Sequence, residues 1–185
     1  MKIMRMLLQI ILLFIVLSVF YGCQQPAAPG DQNADRNPTE NKDTIFELNV
    51  YSDKQIYKTS DAIKIWTVLK YIGDKSEIKI WHGDPYINYS ITDGKDFNLD
   101  GIRHDILTST ILKKGEQYRY DYIKSGGYSN DDPKASYWKK FFEEKELYLP
   151  EGEYIIKAYS DFSLTENVID SHYNQYSELK IKVVK

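Results

Sequence analysis

Seven short segments of this chain alternate apolar and polar residues with a period of two, and that rhythm restricts the fold severely. In IFELNVY, Phe46, Leu48 and Val50 share one side; in AIKIWTVLKY, Ile63, Ile65, Thr67, Leu69 and Tyr71 do. EIKIW contributes Ile78 and Ile80, YINYSI contributes Ile87, Tyr89 and Ile91, and QYRYDY contributes Tyr118, Tyr120 and Tyr122. EYIIKAYS and YSELKIKVV complete the series with Tyr154, Ile156 and Ala158, then Leu179, Ile181 and Val183. A helix would place its apolar residues three and four apart, so the pattern specifies half-buried strands. Turn-forming residues separate them at Ser52-Asp53, Gly73-Asp74, Gly83-Asp84-Pro85, Asp93-Gly94, Lys114-Gly115 and Pro150-Glu151-Gly152. Short strands with one apolar face predict an all-β antiparallel sandwich or barrel. The stretch 44–185, about 140 residues, is ample for one such domain and thin for two.

One segment follows a different period. In NDDPKASYWKKFFEEKE, Trp138, Phe141 and Phe142 recur with Ala135 at helical spacing, with lysines and glutamates on the other side. Asp132 is placed as N-cap and Pro133 at the first helical position. This predicts one short amphipathic helix inserted between strands, covering an end or edge of the sheets.

The N-terminus is of another kind. Lys2 and Arg5 give a positive start, Leu7 to Phe20 form a 14-residue apolar run interrupted only by Gln9 and Ser18, and Gly22 directly precedes Cys23. These are the parts of an export signal over residues 1–22. The run falls short of the ~20 residues that a spanning helix needs. Gly22-Cys23 at its end resembles the bacterial lipobox, although that family favours Leu where this chain has Phe20 and a small residue where it has Tyr21. The resemblance implies a diacylglyceryl-type lipid on the sulfur of Cys23, which becomes the first residue after cleavage. The alternative is an uncleaved N-terminal anchor with a free thiol, and either reading puts the bulk of the chain outside the cytoplasm, at the cell membrane. Residues 24–43 contain no Val, Ile, Leu or aromatic side chain. The segment 23–43 is therefore expected to be a disordered tether.

Loss of residues 1–22 leaves 22 basic against 27 acidic side chains, a net charge of −5. That balance gives no footprint for nucleic acid, and it leaves acyl chains as the means of membrane attachment. A single cysteine excludes an intramolecular disulfide and a Cys/His zinc pattern.

Candidate chemistry is sparse. DFNLDG sets Asp96, Asn98 and Asp100 at alternate positions before Gly101, as in the first half of a calcium loop. The twelfth position is Leu107 where a bidentate Glu belongs, and Asp105 lies two residues early. The competing reading is a polar hairpin tip, so no cofactor is expected apart from a weak calcium site. His82, His104 and His172 form no ligand spacing and read as surface histidines near strand ends or loops. No nucleophile elbow, phosphate loop or dinucleotide fingerprint occurs, and no enzyme is expected. The 16 tyrosines, against 7 Phe and 3 Trp, suit half-buried sheet surfaces and also the recognition of sugars or peptides. Trp66, Trp81 and Tyr128 are the candidates for an exposed binding face.

LPEGEY, with Tyr154 at a strand start after a Gly turn, resembles the tyrosine corner of immunoglobulin-like sandwiches. The succession WTVLKYIG, IWHGDPYINYSITDGK, STILKKGEQYRYDY and LPEGEYIIKAYS is similar in layout to the intracellular proteinase inhibitor family of bacilli, over roughly Ile45 to Ser160. The resemblance implies an immunoglobulin-like antiparallel β-sandwich, to which this chain adds a signal and the helix around Trp138. The functional expectation is a membrane-anchored, extracytoplasmic, non-catalytic module binding an envelope protein, peptide or glycan. Two alternatives stand beside it. One is protease inhibition through the loop Lys124 to Lys134, and the other is calcium-dependent binding through Asp96, Asn98 and Asp100.

Overall fold

A computed structural model describes residues 45–185. The signal segment 1–22, Cys23 and the tether 23–43 lie outside the described residues. The elements are β1 (Phe46–Ser52), β2 (Ile56–Lys58), β3 (Ile65–Tyr71), β4 (Glu77–Thr92), β5 (Asn98–Asp100), β6 (His104–Lys113), β7 (Gln117–Asp121), α1 (Ala135–Glu143), β8 (Gly152–Ser163) and β9 (Tyr173–Val184). They form two sheets. The smaller is antiparallel with order β1-β3-β7; the larger runs β2-β9-β8-β4-β5, and β6 also pairs with β4. The three-residue β2 runs parallel to β9, so the larger sheet is mixed.

The period-two pattern turns one row of each sheet inward. Phe46, Leu48, Val50, Ile65, Leu69 and Tyr71 of the smaller sheet are buried, as are Ile80, Ile87, Ile91, Ile156, Ala158, Ile181 and Val183 of the larger. All belong to one apolar cluster. The Phe46 ring meets Phe162 at 5.2 Å and Tyr173 at 4.9 Å, both edge-on, and so ties the sheets together. Burial of each such side chain is worth about 1.5–3 kcal/mol. Gly94 and Gly115 take φ of 71° and 80° at their turns, a conformation that other residues adopt only with strain.

The structure differs from the sequence expectation in four places. The Gly83-Asp84-Pro85 signal does not end a strand: β4 continues through it, and its register against both β6 and β8 shifts there. A bulge accepts the non-pairing proline that a regular central ladder would refuse. Strands β2 and β6 carry too few buried residues to show alternation. His82 is a buried residue, 7% exposed, with Nδ1 2.6 Å from the Gly83 carbonyl and Nε2 2.8 Å from Thr110 Oγ1. Finally, α1 starts at Ala135 after Lys134, later than the expected cap. Asp132 instead accepts from the Lys134 N–H through Oδ1 at 2.7 Å and from the Ala135 N–H through its carbonyl at 2.8 Å, forming the turn that leads in.

The helix buries Phe141 and sets Trp138 5.5 Å from Phe97, the residue that leads into β5. Among the described residues no helix is long and apolar enough to cross a membrane.

Tyr154 opens β8, and its hydroxyl donates to the Pro150 carbonyl at 3.0 Å. Tyr154→Phe removes one bond from a buried ring and leaves the packing in place, so it is expected to lower unfolding free energy by about 1 kcal/mol. Denaturant melts of the two proteins, with equal m-values, check this.

Candidate functional site

The residues expected to form a binding face do not converge. Trp66 lies on the outer side of β3, its ring stacked on Tyr51 at 5.8 Å and under the Arg119 guanidinium at 4.5 Å. Trp81 sits on β4 with Lys79 Nζ 5.0 Å from its ring. Tyr128 lies parallel to Phe142 at 6.4 Å, which lays the Lys124–Lys134 loop against α1. Lys124 strengthens that attachment, donating to the carbonyls of Phe141 and Glu146 at 2.5 and 2.9 Å.

The acidic candidates also separate. Asn98 and Asp100 stand on the exposed side of an extended strand, with Asn98 Nδ2 donating to Asp100 Oδ2 at 3.1 Å. Asp96 precedes that strand and is exposed. Asp105 is drawn to Arg103 at 3.5 Å, and Arg103 also bonds Asp161. The carboxylate that organises the hairpin is Asp93, whose Oδ1 accepts from the Lys95 and Phe97 N–H groups at 2.8 and 3.0 Å. Those main-chain bonds, Phe97 first, hold its carboxyl below the usual range. Among the described residues no three His, Cys, Asp or Glu side chains are grouped to hold a metal ion.

A site that side-chain pattern did not announce lies where the smaller sheet ends. The Ile72 N–H donates to Ile45 and the Tyr122 N–H to Ile65, each at 2.9 Å. With the two registers of β3, these bonds fix the direction of every main-chain group, because antiparallel pairs alternate between bonded and unbonded. On β7, Tyr120 and the neighbouring even positions bond to β3. The N–H and C=O groups of Arg119 and Asp121 point away, and no hydrogen bond reaches them among the described residues. On the opposite edge, outward groups are covered by side chains. On β1, the outward Val50 N–H donates to Ser177 Oγ at 3.2 Å, and the Phe46 carbonyl accepts from Gln175 Nε2 at 3.4 Å.

Beside the open edge of β7 is a cleft of about 730 Å³, within the roughly 300–1,000 Å³ range of ligand pockets. Ile87, Tyr89, Tyr120 and Tyr122 line its inner side. Arg119, Asp121 and Ile123 form one lip; Asp84, Pro85, Ile102 and His104 form the other. Ile102 and Ile123 are 49% and 80% exposed. One end is closed where the Ile102 N–H donates to Ser125 Oγ at 3.2 Å. Arg119 Nε reaches Asp121 Oδ1 at 2.8 Å, so the lip carries one exposed charge of each sign.

Hydrogen bonds among the tyrosines shape the cleft wall. Tyr89 donates to the Tyr120 carbonyl at 2.7 Å, and the Tyr86 and Tyr120 hydroxyls bond each other. Tyr122 Oη is buried without a partner among the described residues. Burial pushes the phenols of Tyr89, Tyr120 and Tyr122 above the usual tyrosine range. At neutral pH these phenols therefore keep their protons, and the residues line the cleft in neutral form. A smaller hollow of about 310 Å³ adjoins Trp81, with Arg103, Asp161 and His172 on its wall. His172 Nδ1 lies 3.6 Å from Asp161 there.

The tyrosines also predict alkaline behaviour. Tyr154 is pushed up to about 12, by burial first and then by the Asp93 charge. A raised folded-state value means that the folded chain keeps a proton which the unfolded chain releases above pH ~10. The stability contributed is complete below that pH and is lost as pH rises through the folded values. A phenolate-absorbance titration is expected to show the buried set, Tyr89, Tyr120, Tyr122 and Tyr154, ionising together with loss of the fold, above the ordinary tyrosine range. One smooth, non-cooperative transition near pH ~10 for all tyrosines would contradict this.

No family model and no curated protein matches the chain. Among solved structures it is similar to the β-glucosidase EmGH1 of Erythrobacter marinus, at 15% identity and TM-score 0.39, over 75% of this chain and 15% of that one. It is also similar to Spo0M, the sporulation control protein of Bacillus subtilis, at 12% identity and TM-score 0.37, over 76% and 50%. A β-glucosidase of Listeria innocua gives 10% identity and TM-score 0.33, over 75% and 16%. The chain thus spans half or less of the length of each of these three structures.

Proposed function

We propose that this chain is a lipid-anchored, extracytoplasmic, non-catalytic binding module that holds its ligand in the cleft beside β7. The observation that carries the binding reading is the tyrosine-lined cleft with exposed Ile102 and Ile123 on its lips. The anchor rests on the Lys2–Cys23 sequence, where a short apolar run meets Gly22-Cys23. Membrane attachment is through a diacylglyceryl-type lipid on Cys23, and the ligand belongs to the cell envelope.

The scaffold reading is an immunoglobulin-like sandwich. Its support is the strand order, β1-β3-β7 against β2-β9-β8-β4. In immunoglobulin lettering this matches A-B-E facing G-F-C, with β2 as an extra strand beside G. Tyr154 supplies the second support. It stands at the start of the strand that corresponds to F, and its hydroxyl reaches back to Pro150 as a tyrosine corner does.

Two measurements test the proposal. Full-length protein from bacterial membranes is expected to carry lipid mass on residue 23, and Cys23→Ala to lose that mass and the membrane association; an unlipidated native protein would overturn the anchor. In the Cys23→Ala background, sedimentation with washed bacterial envelopes is expected to fall several-fold on Ile102→Asp, with unchanged Tm because Ile102 is half exposed. Equal sedimentation of the two would overturn the cleft as the binding site.

A further inference from the structure

We infer that the cleft receives an extended peptide segment of a partner protein, which adds to β7 as the fourth strand of the smaller sheet. The inference rests on the binding reading above and names the ligand class. Two edges bound this sheet, and the fold treats them differently. At β1, side chains from β9 occupy the outward Val50 N–H and Phe46 carbonyl. At β7, the outward groups of Arg119 and Asp121 have no partner among the described residues. An unpaired edge is a template for another strand, and main-chain bonds to such an edge supply affinity while alternate side chains supply specificity.

The chemistry of the occupant follows from the neighbours. A strand laid along β7 turns every second side chain inward, toward Tyr122, Ile102 and the other apolar groups of the cleft. The remaining side chains face outward beside Arg119 and Asp121. Charge complementarity there calls for an acid opposite Arg119, an apolar residue opposite Tyr120 and a base opposite Asp121. The chain's own segment 24–43 has no Val, Ile, Leu or aromatic side chain to fill the cleft. The space, about 730 Å³, accommodates a few residues of a single chain, and a second copy would bring its larger sheet with it.

The free edge of β6 is the rival. Its outward groups follow from the Lys114 N–H bond to the Ser76 carbonyl. One of them, the Lys113 N–H, is closed by Tyr118 Oη at 2.8 Å. The rest, around Ser109 and Ile111, face open solvent beside no apolar cleft.

The test uses the full chain in detergent, isotope-labelled for NMR. The probe is a short synthetic peptide alternating valine with glutamate and lysine, with a control N-methylated at alternate amides. A chitin-type oligosaccharide forms a separate arm. Strand addition predicts amide shifts at Arg119, Tyr120 and Asp121 with the peptide, and about tenfold weaker binding of the methylated control, the cost of one or two main-chain bonds. Asp121→Pro removes an outward N–H that β3 does not use, and prolines are tolerated on edges, so it is expected to fold and to weaken the peptide equally. Asp121→Asn loses the charge but keeps that N–H, so it should bind the peptide more tightly than the proline variant. Should the proline variant not fold, the methylated control on the native chain decides the same point.

Shifts at Ser109 and Ile111 instead of β7 would overturn the inference. So would equal binding of the methylated peptide, or a peptide-free dimer joined at β7. Cleft shifts with the oligosaccharide alone would overturn strand addition and leave the binding reading standing. Silence in both arms would overturn both.

Discussion

Strand β4 has two edges, and both are occupied along most of its length. β8 takes one edge, while β6 and β5 divide the other between its first and second halves. β6 pairs with β4 in the larger sheet and no strand pairs with the outer edge of β7, so the smaller sheet has three strands. The bulge around Asp84 lets a single sixteen-residue strand serve these partners, since the register changes there. His82 fixes the junction by bonding Gly83 on its own strand and Thr110 on β6. With a main-chain carbonyl at Nδ1, that nitrogen donates, and in the neutral ring Nε2 accepts from the Thr110 hydroxyl. The cleft beside β7 is a direct consequence of this division of partners.

The polar groups inside the fold act in the same way. Ser177 and Gln175 extend from β9 to the edge of β1 and satisfy main-chain groups that no strand covers. Tyr154 does so for Pro150. Buried polar groups left unmatched cost about 1–3 kcal/mol each. Among the described residues, Thr67 Oγ1 and Tyr122 Oη are buried without a partner, and Tyr122 lines the cleft. Tyrosine is abundant because one side chain meets both needs. Its ring fills the interior, and its hydroxyl reaches an otherwise stranded group.

Legibility in the sequence followed the number of buried neighbours. The inward rows of β1, β3, β8 and β9 were readable because every second residue is buried. The helical stripe of Ala135, Trp138, Phe141 and Phe142 was readable for the same reason, although Asp132 proved to form a turn before the helix. Strand β6 was not, since nearly all of its residues are exposed and alternation carries no signal there. Gly83-Asp84-Pro85 carries turn chemistry that a bulge uses equally well. Trp66, Trp81 and Tyr128 were chosen for residue type, which says nothing of shared location, and they lie on three separate elements. The open edge of β7 is a property of main-chain direction and strand order, so no residue type could announce it.

Ligand binding by strand addition requires the cleft-facing edge of β7 to be unpaired, and amide hydrogen exchange of the free protein reads that edge most directly. The Arg119 and Asp121 amides should exchange as exposed groups, while the alternating Tyr120 and Tyr122 amides, bonded to β3, should be protected by the stability of the sheet. Equal protection of all four would mean that another strand already covers this edge, and would contradict an open β7.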